Sequence, residues 1–354
     1  MSAVNRIHPV DPLQAQTDDA ELSVYVLTEF VFCPRAGLCT HEQPKEIDDP
    51  DTKPSATYLP IHDQTELELM LKETLRQFLN ILLGGGAATV LLALMAWLSG
   101  WLILWGLSAG VGLLTAYALY DRFSWIVTMR AHLKIWKAAH PQLPDPDSAK
   151  IQYVHWCELM AAGFMLTEAK NAYSHPPWRL GGKPWRLLEH GELRIPVFMP
   201  GRPWKDLFPQ HFVRMAAYCR LIELCEGFKS PYGVIVMPDS FQAIIVPCTP
   251  KSREDFEQAL YRARKTIRDA EEQNARPPEP SNGNLCRECP HGEPRAFRKG
   301  KVFMRGDIPL TPSAFPGRDG KQYHSLCGDR FQWTPSHATT EQLKPSPWDM
   351  GTRR

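Results

Sequence analysis

Residues 78–119, FLNILLGGGAATVLLALMAWLSGWLILWGLSAGVGLLTAYAL, decide the organisation of this chain because they contain no charged side chain. Phe78–Leu98 and Trp101–Leu119 are two uncharged runs, and only Ser99 and Gly100 stand between them. A helix rises about 1.5 Å per residue, so each run forms a helix of about 30 Å, the thickness of a bilayer's hydrocarbon core. The sequence therefore predicts a transmembrane helical hairpin, inserted into a chain that otherwise has the composition of a soluble domain.

The residues on both sides of the hairpin predict its orientation. Basic side chains precede and follow the two uncharged runs: Lys72, Arg76, Arg122, Arg130, Lys134 and Lys137. Because basic residues are retained on the cytoplasmic side, we expect a multi-pass protein of the inner (cell) membrane with both termini cytoplasmic. Membrane lipid is then the first expected partner. The alternative is a pair of buried helices in a globular core, which uncharged runs of this length disfavour.

Glycines on both runs predict close packing of the two helices. Gly84–Gly86 lie on the first, and Gly106, Gly110 and Gly112 lie on the second. Gly106 and Gly110 have the Gly-x-x-x-Gly spacing that places two small residues on one helix face.

Hydrophobic periodicity outside the hairpin predicts a mixed α/β fold and a division into segments. We expect a helix over Ile151–Thr167, a strand over Leu193–Met199, a helix over Leu207–Glu226, a hairpin over Tyr232–Met237 and Gln242–Val246, and a helix over Ser252–Glu272. Asp121–Ala139 is amphipathic and rich in Trp and basic residues, which is typical of an interfacial helix. The expected segments are a disordered tail (1–21), an N-terminal part of the main domain (22–63), the membrane hairpin with interfacial helices (64–140), the α/β core (141–272), a linker (273–284), a metal-binding basic tail (285–334) and a disordered tail (335–354).

Two pairs of potential metal ligands stand near the C-terminal end. Cys286-Arg-Glu-Cys289 forms one pair and His324-Ser-Leu-Cys327 forms the other, with residues 290–323 between them. Two close pairs separated by a loop are typical of a tetrahedral zinc site, here with three Cys ligands and one His ligand. Cys39, Cys157, Cys219, Cys225 and Cys248 are expected to be packing residues.

The loop between the two pairs is basic. It carries Arg295, Arg298, Lys299, Lys301 and Arg305, with Phe297 and Phe303 interleaved. Such a loop is suited to nucleic-acid phosphates, to anionic lipid headgroups or to solvent alone, and the residues leave these three alternatives open. The net charge of the whole chain is +1 and indicates no particular partner.

The order of these segments resembles the iron–sulphur members of the PD-(D/E)XK nuclease superfamily, namely the RecB-type exonucleases of CRISPR adaptation and their helicase-nuclease relatives. The resemblance covers residues 22–41 and 150–291, with the hairpin as an insertion. It rests on Cys33-Pro34-Arg35 and on four later segments in order: Gly182–Pro203, His211–Tyr218, Gly233–Val246 and Cys286–Cys289. The resemblance implies a restriction-endonuclease-like α/β core followed by a metal-binding tail.

The departures from that family imply a catalytically degenerate domain. Trp185 stands where the family has Asp, Phe198 where it has Glu and Pro200 where it has Lys. Arg214 replaces the family's Gln, although His211 and Tyr218 match. Since such nucleases need carboxylates to hold a divalent metal against the phosphate, we expect no catalytic residues. His155, Glu158 and Glu192 are the weak alternatives for relocated active-site groups, and solvated surface charges are their ordinary role.

The same resemblance implies a different cofactor from the zinc ion that the Cys and His spacing predicts. Cys33, Cys286, Cys289 and Cys327 would hold a [4Fe-4S] cluster, with Cys327 replacing the family's last Cys from a distance. A Zn²⁺ ion bound by Cys286, Cys289, His324 and Cys327 remains the alternative.

Together these patterns lead to a functional hypothesis with two alternatives. We expect a membrane-anchored, nuclease-like and inactive module that binds DNA or a protein partner complex, with Arg214 and the basic loop forming the binding surface. An active metal-dependent DNA exonuclease or endonuclease with relocated residues is one alternative. The other is a zinc-ribbon membrane scaffold that binds a protein and no nucleic acid. The sequence leaves the oligomeric state undetermined.

Overall fold

The computed structural model describes residues 14–15, 19–43, 64–200, 207–237, 242–280, 283–296, 303–305, 308–310, 315–316 and 321–332. Within these ranges the strands are β1 (Leu22–Ser23), β2 (Gln152–His155), β3 (Met165–Thr167), β4 (Tyr173–His175), β5 (Leu180–Gly182), β6 (Arg186–His190), β7 (Leu193–Phe198), β8 (Tyr232–Val236), β9 (Gln242–Pro247), β10 (Arg295–Ala296), β11 (Phe303–Arg305), β12 (Ile308–Leu310), β13 (Phe315–Pro316) and β14 (Gln322–His324). The helices are α1 (Val24–Phe32), α2 (Pro34–Glu42), α3 (Gln64–Ser99), α4 (Leu102–Ala138), α5 (Trp156–Ala161), α6 (Pro209–Glu226), α7 (Pro250–Glu272), α8 (Gly283–Glu288) and α9 (Leu326–Phe331).

The uncharged stretch forms two long antiparallel helices, α3 and α4, and both are long and apolar enough to cross a membrane. Their most apolar windows have mean hydropathies of 2.1 and 1.8, and only 6% of each window is buried. Helices in the core of a soluble domain would be covered by other side chains. Gly100 makes the turn between them with φ +69°, a conformation that glycine adopts without steric cost.

The two long helices pack through part of the predicted set of small residues, namely Gly85 and Gly112, together with Ser108 and Thr115. Gly85 lies against Thr115, so that a Cβ at Gly85 would come within 2.6 Å of the Thr115 side chain. Ser108 Oγ donates to the Thr89 carbonyl oxygen at 3.1 Å across the same interface. The space beside Gly106 and Gly110 is open, and Gly84 and Gly86 likewise have nothing within 4 Å. The Gly-x-x-x-Gly face therefore does not form the contact between α3 and α4.

The predicted helix over Asp121–Ala139 is present, and it forms the second half of α4. Helix α4 continues without a break from Leu102 to Ala138, and it ends against α5. Lys137 Nζ lies 3.4 Å from Glu68 Oε1, which joins the end of α4 to the start of α3. The basic residues thus belong to the hairpin itself, which is about 55 Å long and extends beyond a bilayer core of about 30 Å.

The remaining chain forms a mixed α/β domain around a six-stranded sheet of order β2-β9-β8-β7-β6-β3. Strands β3, β6 and β7 form an antiparallel meander, β8 runs parallel to β7, and β9 returns antiparallel to β8. A parallel pair needs a crossover connection, and α6 supplies it between β7 and β8. The predicted strand at Leu193–Met199, both hairpin strands and the two long helices of the core are present.

The prediction of one helix over Ile151–Thr167 is wrong. That segment forms β2, the short helix α5 and β3, and the two strands lie at opposite edges of the sheet. Each strand is an outer member whose backbone pairs on one side only, β2 with β9 and β3 with β6. Such pairings are tertiary, so a local hydrophobic pattern does not indicate them.

The sheet separates two hydrophobic cores. Ile235 faces the larger core with α1, α6 and α7, whereas its neighbours Val234 and Val236 face the smaller core with α5. Successive side chains of a strand point to opposite faces, so a strand buried on both faces is apolar throughout, as β8 is.

Phe256→Ala is expected to lower the free energy of unfolding by about 3–5 kcal/mol, because it removes a buried ring and leaves a cavity. Phe256 of α7 is 0% exposed, and its ring centroid lies 5.8 Å from that of Trp178. Tyr261→Ala on the same helix is the control, since Tyr261 is 59% exposed and its loss should change stability by less than about 0.5 kcal/mol. Denaturant unfolding in mild detergent gives both values, and equal effects would contradict the position of α7.

Candidate metal centre

Four cysteines from distant parts of the chain line one cavity. Cys33, Cys286, Cys289 and Cys327 are all buried, and they line one small cavity. Its other lining residues include Phe32, Arg35, Ala36, Pro280, Leu285 and Gly292. The four thiols that the family resemblance groups together are therefore neighbours in the fold.

Local structure places each of these thiols. Cys33 ends α1 in an extended conformation, and Pro34 immediately starts α2, so the thiol lies at the corner between two helices. Cys286 lies on α8, and Cys289 follows it in a tight loop whose Gly292 N–H donates to the Cys289 carbonyl oxygen at 3.0 Å. A Cβ at Gly292 would come within 2.7 Å of the Cys286 carbonyl oxygen, which explains a glycine at this place.

Contacts between protein groups hold the N-terminal and C-terminal segments together around the cavity. Arg330 of α9 donates two hydrogen bonds to the Glu42 carboxylate of α2, at 2.6 and 2.8 Å. Arg35 Nε donates to the Pro277 carbonyl oxygen at 2.9 Å, and Thr40 Oγ1 lies 2.8 Å from His291 Nε2. A bidentate Arg–carboxylate pair also fixes geometry, so α2 and α9 are positioned without a metal ion.

The cavity disfavours the thiolate form of its cysteines, and one nearby cation partly offsets this. Burial raises the pKa of Cys289 and of Cys327 to about 12, and the Arg35 guanidinium partly opposes this at Cys327. Cys286 also has a raised pKa because of burial, and Arg35 lowers it in part. Metal or cluster binding would therefore have to release protons from these thiols, and Arg35 would offset part of the thiolate charge.

The four ligands of the zinc alternative do not all line one cavity, whereas the four cysteines do. His324 is buried on β14, and its Nδ1 lies 2.9 Å from Asp329 Oδ2. The residues lining the four-cysteine cavity do not include His324. In the described part of the chain, no group of three or more Cys, His, Asp or Glu side chains is arranged to hold a single metal ion, and this applies to the four cysteines of the cavity as well.

The predicted basic surface lies mostly outside the described residues. Arg298, Lys299 and Lys301 fall in that part, whereas Arg295 lies on β10 and Arg305 on β11. Arg214 is buried, donates to Thr28 Oγ1 at 2.9 Å and lies over the Phe198 ring at 4.2 Å. Arg214 thus joins α6 to α1 inside the domain and does not reach an outer surface.

The three weak catalytic alternatives have structural roles. His155 and Glu158 cap α5: the His155 N–H donates to Glu158 Oε2 at 2.8 Å, and the Cys157 N–H donates to His155 Nδ1 at 3.2 Å. Glu192 is exposed and pairs with Lys229 at 3.2 Å. Trp185, Phe198 and Pro200, which stand where the resembled family has its metal ligands and lysine, are buried.

His211 gives a pH prediction. Its Nδ1 accepts from the Phe208 N–H at 3.0 Å, and burial together with Arg214 lowers its pKa from 6.5 to about 3. Between these pH values the folded state therefore binds fewer protons than the unfolded state. The contribution of His211 to the free energy of unfolding is fully present above pH 6.5 and is lost as the pH falls towards 3. We expect a loss of about 1.4 kcal/mol per pH unit from this residue.

His211→Gln keeps an acceptor for the Phe208 N–H and removes the titration. Unfolding measured between pH 7 and 4.5 should therefore fall less steeply in this variant than in the parent protein. A residual slope is expected because burial also lowers the pKa of His291 to about 4. Identical slopes in the variant and the parent would contradict the prediction.

Comparison with protein-family models and with curated proteins finds no match. The class of protein therefore rests on three features of the fold, which are a mixed α/β domain, two long apolar helices and a cavity lined by four cysteines. Sequence reasoning named Arg35 only as part of the motif Cys33-Pro34-Arg35, and it missed Glu42 and Arg330, which join α2 to α9 beside the cavity. A basic residue directly after Cys33-Pro34 was the one available signal, since ion pairs between distant segments leave no local pattern.

Proposed function

We propose that this chain is a membrane-anchored, cluster-binding module that binds DNA or a protein partner complex and does not hydrolyse nucleic acid. The convergence of Cys33, Cys286, Cys289 and Cys327 on one cavity carries this proposal. Four thiols that line one small cavity, with the Arg35 guanidinium beside them, match the ligand number of a [4Fe-4S] cluster. When bound, the cluster would supply a covalent link between the N-terminal segment and the C-terminal tail.

A nuclease-like core without a hydrolytic site is the second element of the proposal. The order β7, α6, β8–β9, α7 and the cysteine-bearing α8 is the order on which the resemblance to PD-(D/E)XK nucleases rests. The positions of the missing carboxylates and lysine hold buried Trp185, Phe198 and Pro200. The described alternatives to them are engaged in a helix cap and in a surface ion pair, so no observation favours an active nuclease.

Membrane anchoring by the α3–α4 hairpin is the third element. Large apolar side chains are exposed along both helices, as a lipid environment requires. Basic residues flank the uncharged runs on both sides, which supports an arrangement with both termini and the α/β domain in the cytoplasm. Trp97, Trp101 and Trp105 surround the turn, where indole rings favour the opposite interface.

Metal analysis tests the cofactor. The full chain would be purified anaerobically in mild detergent, and its iron, sulphide and zinc would be measured beside its visible absorbance. Iron and sulphide at about four each per chain, with a broad band near ~400 nm, support the proposal. Zinc alone, at about one per chain, would contradict it and would favour a ribbon that includes His324.

DNA binding is tested separately from the cofactor. The full chain in lipid nanodiscs would be titrated with labelled duplex and single-stranded DNA at increasing salt, because phosphate contacts give a strong salt dependence. Replacing Arg298, Lys299 and Lys301 by Gln should reduce that dependence. If no DNA binding occurs at low salt, the proposal of DNA binding is wrong. A stoichiometric protein recovered from cross-linked membranes would then support binding of a protein partner complex.

A further inference from the structure

One exposed face of α4 changes from apolar to basic beyond the end of the uncharged run. We call this face the α4 stripe, and its members are Phe123, Val127, Arg130 and Lys134. Their spacing of four, three and four residues places all of them on one side of the helix. Phe123 is 56% exposed and Val127 is 51% exposed, and the two basic side chains are exposed as well.

A different side of the same helix segment is covered by protein. Ile126, Met129 and Leu133 are only 4–6% exposed, and α4 packs against α3 and α5. Because the side chains of the α4 stripe are exposed while these are covered, the stripe faces the surroundings of the hairpin.

The two cations of the α4 stripe are not neutralised within the protein. Lys137, on the next turn, lies 3.4 Å from the carboxylate of Glu68 on α3. Arg130 and Lys134 form no ion pair with any residue that the structure describes. Two positive charges are therefore free to bind an anion from outside the chain.

The position of the α4 stripe along the helix matches the edge of a bilayer. Trp105 and Trp125 are exposed and are separated by about 30 Å of helix, which is the thickness of a hydrocarbon core. Indole rings favour the two edges of that core. Val127 then lies at the cytoplasmic edge, and Arg130 lies about 8 Å beyond Trp125, in the layer that the headgroups occupy.

The direction of α4 inclines both cations towards the lipid. Every Cα–Cβ bond of a helix is tilted towards its N-terminus, and α4 begins at the turn on the far side of the membrane. Arg130 and Lys134 therefore lean towards the bilayer, and their apolar stems let the charged groups reach the headgroup layer. Lys72 and Arg76 are also exposed, but they lie on α3, which begins outside the membrane, so they lean away from it.

We propose that Arg130 and Lys134 bind the headgroup phosphate of an anionic phospholipid of the cytoplasmic leaflet, while the apolar part of the α4 stripe contacts its acyl chains. Such a site depends on the membrane anchoring proposed above, and it adds the class of lipid that the hairpin selects. The two cations complement the negative charge of the lipid, whereas a zwitterionic phospholipid carries a cation of its own. Because Val127 and Phe123 continue the stripe towards the hydrocarbon core, the site fits a lipid better than a free phosphate ion.

Lipid retention by the full chain tests the proposal. The protein would be reconstituted into nanodiscs with equal amounts of phosphatidylglycerol and phosphatidylcholine, and the lipids that it keeps on release would be counted by native mass spectrometry. We expect the parent protein to keep phosphatidylglycerol about fivefold or more over phosphatidylcholine, since each cation near the membrane surface attracts an anionic lipid by about that factor. Glycerol phosphate, which has the phosphate and no acyl chains, should not displace the lipid. Equal retention of the two lipids, or displacement by glycerol phosphate, would overturn the proposal.

Two double variants that remove the same charge locate the preference. In Arg130→Gln with Lys134→Gln no preference for phosphatidylglycerol should remain, whereas Lys72→Gln with Arg76→Gln should keep the preference of the parent protein. Equal loss in both double variants would mean that the net charge of the hairpin selects the lipid, and it would overturn the assignment to the α4 stripe.

The carbonate-resistant membrane fraction separates this site from the anchoring on which it depends. A parent protein that stays in the membrane without any lipid preference would refute the α4 stripe as a lipid site and leave the anchoring intact. A parent protein that carbonate extracts from the membrane would refute the anchoring, and the lipid site with it.

Discussion

Under the proposed [4Fe-4S] assignment, replacing Cys33 by serine is expected to remove most of the iron and sulphide, although the cysteine-rich tail remains unchanged. The reason is the position of Cys33 among the lining residues of the same cavity as Cys286, Cys289 and Cys327. A four-iron cluster needs a ligand at each iron, and a serine hydroxyl is a poor replacement for a thiolate. We expect the visible absorbance to fall by about fivefold or more after anaerobic purification.

Two matched variants separate cluster loss from general damage. Cys157→Ser changes another buried cysteine, which lies on α5 and does not line the cavity, so metal content should stay at the parent level. His324→Ala removes the fourth ligand of the zinc alternative, and a [4Fe-4S] protein should keep its iron and sulphide in that variant. If His324→Ala loses metal and Cys33→Ser retains it, the four-thiolate assignment is wrong.

Cys33→Ser should also lower the thermal stability of the α/β domain. Metal binding contributes to folding free energy where the ligands come from separate segments, and here Cys33 is separated from Cys286 by the hairpin and most of the α/β core. The protein contacts between α2 and α9 remain in the variant, including the Arg330–Glu42 pair. We therefore expect a lower melting temperature with secondary structure retained, and circular dichroism at 25 °C should be nearly unchanged.

The hairpin was predictable from sequence because its signal is local. Long uncharged runs predict long helices, and helix α3 begins at Gln64, close to the predicted start. The contact between the two helices was not predictable from glycine spacing alone. Gly85 and Gly112 face the partner helix, whereas Gly106 and Gly110 face open space.

The α/β core shows the same division between local and tertiary information. The long helices α6 and α7 and the hairpin β8–β9 have strong periodicity or turn residues, and they were predicted within a few residues. The edge strand β2 was predicted as helix because its identity depends on pairing with β9, whose nearest residue is about ninety positions away.

The spacing of cysteines and histidines in the sequence predicted only part of the candidate metal centre. Two ligand pairs at the C-terminal end indicated a zinc ribbon, and only the resemblance added Cys33. The residues that hold Cys33 beside the tail, such as Arg35 with the Pro277 carbonyl and Arg330 with Glu42, join segments more than 240 residues apart.

Val90→Arg in the middle of α3 is expected to prevent stable accumulation of the chain in membranes. Val90 is 67% exposed, so the new side chain would point away from α4 into the surroundings of the hairpin. In a bilayer an arginine at the centre of a span costs about 2.5–3.5 kcal/mol, and the favourable transfer of valine is lost as well. We expect a decrease of about tenfold or more in the carbonate-resistant membrane fraction, measured by immunoblotting at equal expression.

Leu224→Arg is the matched control because it makes a similar change on a helix of the α/β domain. Leu224 lies near the end of α6 and is 41% exposed, so an arginine there remains in water and should change stability by less than about 0.5 kcal/mol. If α3 were an exposed helix in water, Val90→Arg would be equally harmless and would improve solubility. Equal membrane fractions for both variants would therefore contradict the membrane hairpin, whereas selective loss with Val90→Arg requires a lipid environment around α3.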